Sequence, residues 1–557
     1  MCDALSTLWL MNLTDEFGAA RDWVVAHITH ASFATPRAFE AVPAPLPGHA
    51  PSPPPQRIEV HVGVFETTIR YVGGLLSAAQ LSGDASLVDA AAALASRLLP
   101  AFNTTTGIPF GWVQLSGGGA RAAESAVLSE YGSLTLEFLT LSTLTGDPRF
   151  AEVVENALAA ALAAPNRLVG KRRGLLPTLV SPSTGRFANS VVSVGAAGDS
   201  AYEYLVKAWA LCGRGAGAQP YVHLFDAAAD SIAAVLTRRS PTQRLLHIGE
   251  APPRHEGPGA APVPPPPGEP MQHLTCYFVG ALVLAAEGPR AERYMGYASA
   301  LAETCWQMYA QSMSGLAPDS VVFVNRSDYP DPDPGGPRRF GDVVSADARW
   351  QLRPEALEAL FYLWRATGDE QHRDRAWAIF TAIVALCSQT GGGFTGLLDT
   401  RFKTGGGVDD LQPSWLLAET LKYAWLLFSE SSVLPLSEWV LNTEGHPLRV
   451  APHPLNGGAT LLHGLQPRDL LPGGTAEQPW AAAAWRDALR DGIGDAAAGA
   501  THPRPPGGAG GGGGAAAAAR GVNGGDGDAA APAERAGKGR RNPKGVRRSG
   551  MRRGGGG

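Results

Sequence analysis

Three carboxylates in this 557-residue chain stand where they could move protons. Glu66 sits in Phe65-Glu-Thr-Thr-Ile-Arg70, at the start of a run whose apolar positions Ile69, Val72, Leu76 and Ala79 share one helical face. Asp199 opens Asp199-Ser-Ala-Tyr-Glu203, which puts Glu203 one turn later on the same face. That pair repels unless a cation or a polyol ligand separates it. Glu355 follows Leu352-Arg-Pro354, with Pro354 suited to the first helical turn, and Glu358 shares its face. Any one of them could simply favour a helix N-terminus, worth about 0.3–1 kcal/mol. Together they suit hydrolysis with inversion, in which one carboxylic acid protonates the leaving oxygen and one carboxylate activates water on the opposite face. Such a pair stands about 6.5–9.5 Å apart to leave room for the water.

The elements that must position them are helical. Leu81-Ser-Gly-Asp84, Leu144-Thr-Gly-Asp147 and Ala366-Thr-Gly-Asp369 each close one amphipathic run and open another. Further runs are expected at Ala85–Leu99, Ser133–Thr145, Phe150–Ala163, Ala201–Cys212, Tyr221–Arg238, Ala298–Met313, Pro354–Thr367, Gln371–Leu386 and Ser414–Leu427. Almost no sustained period-two alternation occurs, so the class is all-α, and stacked helical hairpins with apolar inner faces close most naturally into a toroid. Pro-rich inserts near 35–56 and 252–270 read as solvated loops. From Ala451 to Gly557 the texture turns to Gly and Ala runs and a basic end, which reads as disorder.

Net charge is −5, but nine Lys or Arg lie between Arg535 and Arg553 with no acid among them; without them the rest carries −14. An acidic body suits neutral or cationic ligands, and nucleic acid is not expected as a partner. No run of 18 apolar residues is evident, and the opening residues lack a signal-peptide pattern. Five cysteines are too few for a disulfide scaffold. Closing the 29-residue loop between Cys276 and Cys305 would contribute about 3–4 kcal/mol, and this bridge is expected. Sequons at Asn12, Asn103 and Asn325 would be acceptors in a secretory compartment.

Phe-Glu-Thr-Thr-Ile-Arg70, Gly73-Gly-Leu-Leu-Ser-Ala78 and Leu81-Ser-Gly-Asp84 resemble, in order, motifs of the class I α-1,2-mannosidases, glycoside hydrolase family 47. The resemblance runs through most of residues 1–450. It implies an (α/α)₇ barrel, trimming of high-mannose N-glycans on glycoproteins, and a Golgi or endoplasmic-reticulum location. By the same resemblance Glu66 is the general acid, Glu355 the general base and Asp199 the competing base. Arg70, Glu130, Glu203, His273, Arg353, Glu358 and Glu419 then line the sugar site. His273 taken alone reads as a core histidine. In Leu434–Pro447, whose end Asn442–Pro447 reads blandly as a polar turn, the family's plugging hairpin implies that Thr443 binds Ca²⁺ through hydroxyl and carbonyl, with Glu444 and Glu419 around the ion.

Some positions differ from the family pattern. Ser6 stands where Asp is common, Asp319 where Glu is usual, and Gln412-Pro-Ser-Trp415 replaces a segment that usually carries Glu before Ser-Phe. Ala197, two residues before Asp199, resembles the Golgi and fungal type rather than the reticulum type, which has Arg there. The family's membrane anchor and first helix are not recognisable ahead of Asp3. The alternative reading is a mannose-glycan-binding member that does not cleave.

Overall fold

Among the described residues seven helices form an inner ring, and four of them carry candidate carboxylates. The computed structural model describes residues 1–28, 61–116, 119–249, 270–325, 341–455, 461–464, 471 and 478–490. The Pro-rich inserts, bar Pro270, the basic run Arg535–Arg553 and the last two residues of the Asn325 sequon lie outside these.

In chain order the inner helices begin with Leu5–Leu10. The next is a continuous run of Val64–Glu66, Thr67–Val72 and Gly73–Ser82. Thr135–Thr145, Asp199–Leu211, Tyr277–Ala285 and Glu355–Thr367 follow, and then Leu416–Thr420 continued by Leu421–Leu427. Each packs on the next, and Leu416–Thr420 packs on Leu5–Leu10, so the ring closes. Helices Thr14–His27, Ala85–Leu98, Pro148–Leu162, Gln219–Val235, Ala291–Ala310 and Gln371–Cys387 form an outer layer with one polar face. A helix apolar all round must be enclosed, and one with a stripe can face water. The inner helices are enclosed with their few polar residues paired inside, the outer ones bury only a stripe, and the two layers make the (α/α)₇ barrel.

Gly83, Gly146 and Gly368 have φ of +78°, +72° and +68°, the left-handed conformation that ends a helix. The Asp after each accepts a backbone N–H of the next helix, from Ser86 at 2.9 Å, Arg149 at 3.0 Å and Gln371 at 2.9 Å. Each turn thus ends an inner helix and starts an outer one, and the inner helices run in one direction with their N-termini at one end of the ring.

The all-α expectation is met, and several finer expectations are corrected. Short strands exist: Ser320–Phe323 pairs with Met271–Gln272 and Val343–Asp347, and Trp439–Leu441 pairs with Pro447–Arg449. At two to five residues they are too brief to show a period. Tyr277–Ala285 has no polar face and so gave no amphipathic signal. Ala85–Phe102 is in fact apolar and long enough to cross a membrane, but half of it is buried in the barrel wall. Order does not stop at Ala451. Helix Pro479–Leu489 packs on Gln219–Val235 and Ala291–Ala310. Its buried Trp485 donates to Asp230 Oδ1 at 2.7 Å and meets the rings of Tyr294 and Tyr297. The expected bridge Cys276–Cys305 is formed.

The hairpin Trp439–Leu441/Pro447–Arg449 packs against the inner helices Gly73–Ser82, Thr135–Thr145 and Asp199–Leu211, and so occupies the lumen. Gly73 admits it: a Cβ there would stand 2.7 Å from Asn442 Nδ2. Gly73→Ala is expected to destabilise the protein by about 1–3 kcal/mol through overpacking, seen as a lower melting temperature in calorimetry. An unchanged melting temperature would mean that the hairpin has room to shift.

Candidate active site

At the N-terminal end of the inner ring lies a pocket of about 230 Å³. Asp199, Glu203, Glu355, Glu358, Glu419 and Glu444 line it together with Arg70, Arg353, Thr443 and Trp415. Asp199 and Glu355 are each the first residue of their helix, and Glu419 sits in the π-helical turn Leu416–Thr420. Arg70 belongs to a second π-helical turn, Thr67–Val72. The widened turn changes which residues face the lumen, and both such turns carry site residues. A larger cavity of about 430 Å³ lies between Thr237–Arg239 and Pro479–Leu489 and holds none of these carboxylates.

Glu355 is the best-supported anion. His273 Nδ1 donates to its Oε2 at 2.8 Å, while His273 Nε2 accepts from the Tyr309 hydroxyl at 2.8 Å. Arg353 stands 3.9 Å from the other oxygen. Burial alone would raise the Glu355 pKa, but His273 and Arg353 outweigh it and hold the group below its ordinary value. Asp199 differs. Burial, with Glu203 and Glu355 nearby, pushes it up to about 7 despite the Ser200 N–H it accepts at 2.8 Å. Glu358 rises to about 8, and Glu419 and Glu444 lie well above the usual range, burial being the main cause in each case.

The repulsion expected between Asp199 and Glu203 is relieved in part inside the protein. Lys207, fully buried, donates to Glu203 and to Glu358 at 3.4 Å. Lys207 is thus the cation that the sequence reading required beside Glu203, while Asp199 still feels Glu203 and rises. The expectation for His273 is corrected: it is wholly enclosed behind Glu355 and does not line the pocket. Glu66 and Glu130 also lie off the pocket wall. Glu66 is 58% exposed on the rim and accepts from Arg70 Nε at 2.6 Å. Glu130 is half-buried, and burial together with Glu66 raises its pKa.

Two of the departing residues make contacts beside the pocket. Asp319 accepts from Arg353 Nε at 2.5 Å, and the Ser6 hydroxyl meets His446 Nδ1 at 3.1 Å. Trp415 lies beneath both Arg70 and Arg353, 5.7 and 5.9 Å from its ring centre. Sequence reasoning missed Asp3, Glu137, Tyr204, Lys207, Lys422 and Asn442. Their motif signal was weak because each reads as an ordinary helix or turn residue.

The hairpin tip bears on metal binding. Lys207 reaches Asn442 O at 3.4 Å and Lys422 reaches Gly445 O at 2.5 Å. Thr443 uses its N–H, but its hydroxyl and carbonyl oxygens take no hydrogen bond among the described residues. No three Asp, Glu, His or Cys side chains converge as a direct ligand cage among the described residues. These residues fit a hard cation held by the two Thr443 oxygens, with the carboxyls reached through water.

The family model of glycosyl hydrolase family 47 matches residues 1–450. The chain belongs to glycosyl hydrolase family 47. The family match agrees with its relatives. It is 36% identical over 455 residues to mannosyl-oligosaccharide alpha-1,2-mannosidase IA of Spodoptera frugiperda, covering 80% of this chain and 60% of that one. It is 35% identical to mannosyl-oligosaccharide 1,2-alpha-mannosidase IB of Homo sapiens, covering 80% and 62%. The chain thus spans about three fifths of the length of these two relatives. The structure of an alpha-1,2-mannosidase from Trichoderma reesei superposes with a TM-score of 0.67 at 28% identity, over 81% of this chain and 90% of that one.

The raised carboxyls of this family 47 site fix a pH dependence. Asp199 and Glu137 lie at about 7 and Glu358 at about 8. Folded-state values above the unfolded ones contribute stability that is complete below about pH 4 and is lost as pH rises through 7–8. Glu355, whose value is lowered, acts oppositely and only in acid. In chelator, the melting temperature is therefore expected to fall between pH 5.5 and pH 8.5. A flat or rising calorimetric profile would contradict these assignments.

Proposed function

We propose that the protein is an inverting exo-α-1,2-mannosidase that trims high-mannose N-glycans on glycoproteins in the Golgi or endoplasmic-reticulum lumen. The observation that carries this reading is the division of protons in the pocket. Glu355 is held below its ordinary pKa by His273 and Arg353, while burial raises Asp199, Glu358, Glu419 and Glu444 around it. Pairs of titratable groups driven apart in this way mark acid and base assignments. The names of the family 47 relatives supply the substrate class.

In this reading Glu355 takes the proton of a water that attacks the anomeric carbon. The glycosidic C–O bond breaks, and the leaving oxygen receives a proton originating at Glu66, which stands on the rim and acts through a water. Arg70 holds Glu66 on one side and Glu444 on the other, fixing the acid relative to the hairpin tip. Asp199 remains the competing base. Its raised pKa disfavours it below neutrality. Arg353, Glu203, Glu358 and Glu419 orient sugar hydroxyls, and Trp415 offers an apolar face to the ring. Thr443 would hold a calcium ion through its hydroxyl and carbonyl, with Glu419 and Glu444 in the surrounding water shell. When bound, that ion supplies a hard positive centre for sugar hydroxyls and water. Ala197, with φ of +70°, leaves a small residue at the mouth, which suits a site that admits several glycan branches.

Purified protein is expected to release mannose from α-1,2-linked oligomannose as the inverted anomer, read by proton NMR of the fresh product; a retained anomer would sink the mechanism. Glu355→Gln is expected to lower turnover by two or more orders of magnitude, as loss of a general base does. Its melting temperature should still rise with added calcium. If chelation leaves the wild-type rate unchanged, the ion has no part in turnover.

A further inference from the structure

Thr443 has one hydrogen bond among the described residues, and that bond leads away from the pocket. Its N–H donates to the Tyr204 hydroxyl oxygen at 3.3 Å. The Tyr204 O–H in turn donates to Glu137 Oε1 at 2.8 Å. The same oxygen accepts from Asn442 Nδ2 at 2.6 Å. Asn442 Oδ1 closes the tip by accepting the N–H groups of Glu444 at 2.9 Å and His446 at 2.8 Å. Both paths into Thr443, through its own amide and through the preceding residue, therefore converge on one carboxyl oxygen.

Glu137 is an unusual residue to find there. It is completely buried in the first turn of Thr135–Thr145, and its second oxygen, Oε2, has no partner among the described residues. It does not line the pocket, so the proposed chemistry does not use it. An enclosed carboxyl with one idle oxygen is a poor way to fill space, because burial of an unpaired polar atom is unfavourable. Its use lies in the other oxygen. A single acceptor that binds a phenol and an amide at once can lock two elements together, here the hairpin and the Asp199–Leu211 helix. Tyr204 is five residues from Asp199 on that helix, so the tip is held in register with a candidate base.

The geometry points to Glu137 and Tyr204 as positioning residues that aim the free oxygens of Thr443 at the cation. This rests on the reading of Thr443 as the calcium ligand. Lys207 and Lys422 complement it by occupying the carbonyls of Asn442 and Gly445, which leaves Thr443 as the tip residue with both oxygens available.

The test is calcium titration calorimetry on the metal-stripped full chain, with the melting temperature of the same samples as a check on folding. Tyr204→Phe keeps the ring and removes both hydrogen bonds. It is expected to raise the calcium Kd about tenfold or more, the effect of losing one to two hydrogen bonds, while the metal-free protein, with a lowered melting temperature, still unfolds cooperatively. Glu137→Gln keeps the accepting oxygen and is expected to bind within about threefold of wild type, whereas Glu137→Leu should weaken binding as Tyr204→Phe does. A folded Tyr204→Phe with the wild-type Kd overturns the inference. So does Glu137→Gln binding as weakly as Glu137→Leu, since charge rather than the shared acceptor would then matter. Should Tyr204→Phe not fold, the two Glu137 variants decide alone. Thr443→Val separates the two claims. If it binds calcium normally, the ligand assignment itself fails and this inference falls with it; if it alone loses binding, only the positioning role is wrong.

Discussion

Six carboxyl groups crowd one small pocket at the end of a closed helical ring, and the rest of the site is arranged around that excess of acid. Isolated buried charges are strongly unfavourable, and buried pairs are tolerated only where geometry and further hydrogen bonds are good. The fold meets this in three ways. Helix N-termini converge on the pocket and favour negative charge. Cations are placed between the acids, with Lys207 between Glu203 and Glu358 and Arg70 between Glu66 and Glu444. Burial raises the pKa of Asp199 and Glu419, so that fewer charges need a partner. Even the cations feel the enclosure: Lys422 is pushed down to about 7 by burial, against the pull of Glu419, Asp3 and Glu444.

Within that acid cluster, chemistry depends on one group being treated differently. Glu355 is set apart because the imidazole behind it is itself fixed, with Tyr309 and Trp350 packed against the His273 ring at centroid distances of 5.7 Å. A histidine held by its second nitrogen cannot turn its N–H away, so the carboxylate keeps its donor. The candidate base is thus held by aromatic packing behind its histidine. The same packing keeps His273 enclosed, so that it bonds Glu355 without lining the pocket.

Much of this could be read from the sequence, and the rest could not for physical reasons. Asp199, Glu355 and Thr443 sit in motifs whose order is distinctive, and the Gly-Asp turns announced the inner-to-outer helix pairs. Ring closure between Leu5–Leu10 and Leu416–Thr420 joins segments some 410 residues apart, and no local period reports that. Lys207 was invisible because a lysine in Tyr-Leu-Val-Lys reads as a solvent-facing residue of an amphipathic helix, whereas an inner helix has no solvent face. The π-helical turns at Thr67–Val72 and Leu416–Thr420 shift the facing by a residue, which periodicity at 3.6 cannot anticipate. Trp485 lay in a stretch whose surrounding Ala and Gly masked a single well-placed aromatic anchor.

The closing contact of the ring has a consequence for how the site is built. Asp3 lies just before the first inner helix. It meets His446 Nε2 on the hairpin at 3.0 Å, Arg70 at 3.4 Å and the Ser414 hydroxyl ahead of the last inner helix. Burial would raise its pKa, but these partners hold it well below the ordinary range, so it remains charged. His446, pushed down to about 4 by burial, stays neutral between Asp3 and the Ser6 hydroxyl. With an acid at position 6, as is common in the family, that imidazole would face a second negative charge and would hold a proton more readily. Ser6 therefore leaves the hairpin root joined to the first helix by hydrogen bonds to a neutral ring, and Arg70 and Asp3 carry the charge contact. The first inner helix, the second, the last and the hairpin all meet at this one cluster, so Glu355, Arg70 and Thr443, which line one pocket, are each placed by elements from a different quarter of the chain.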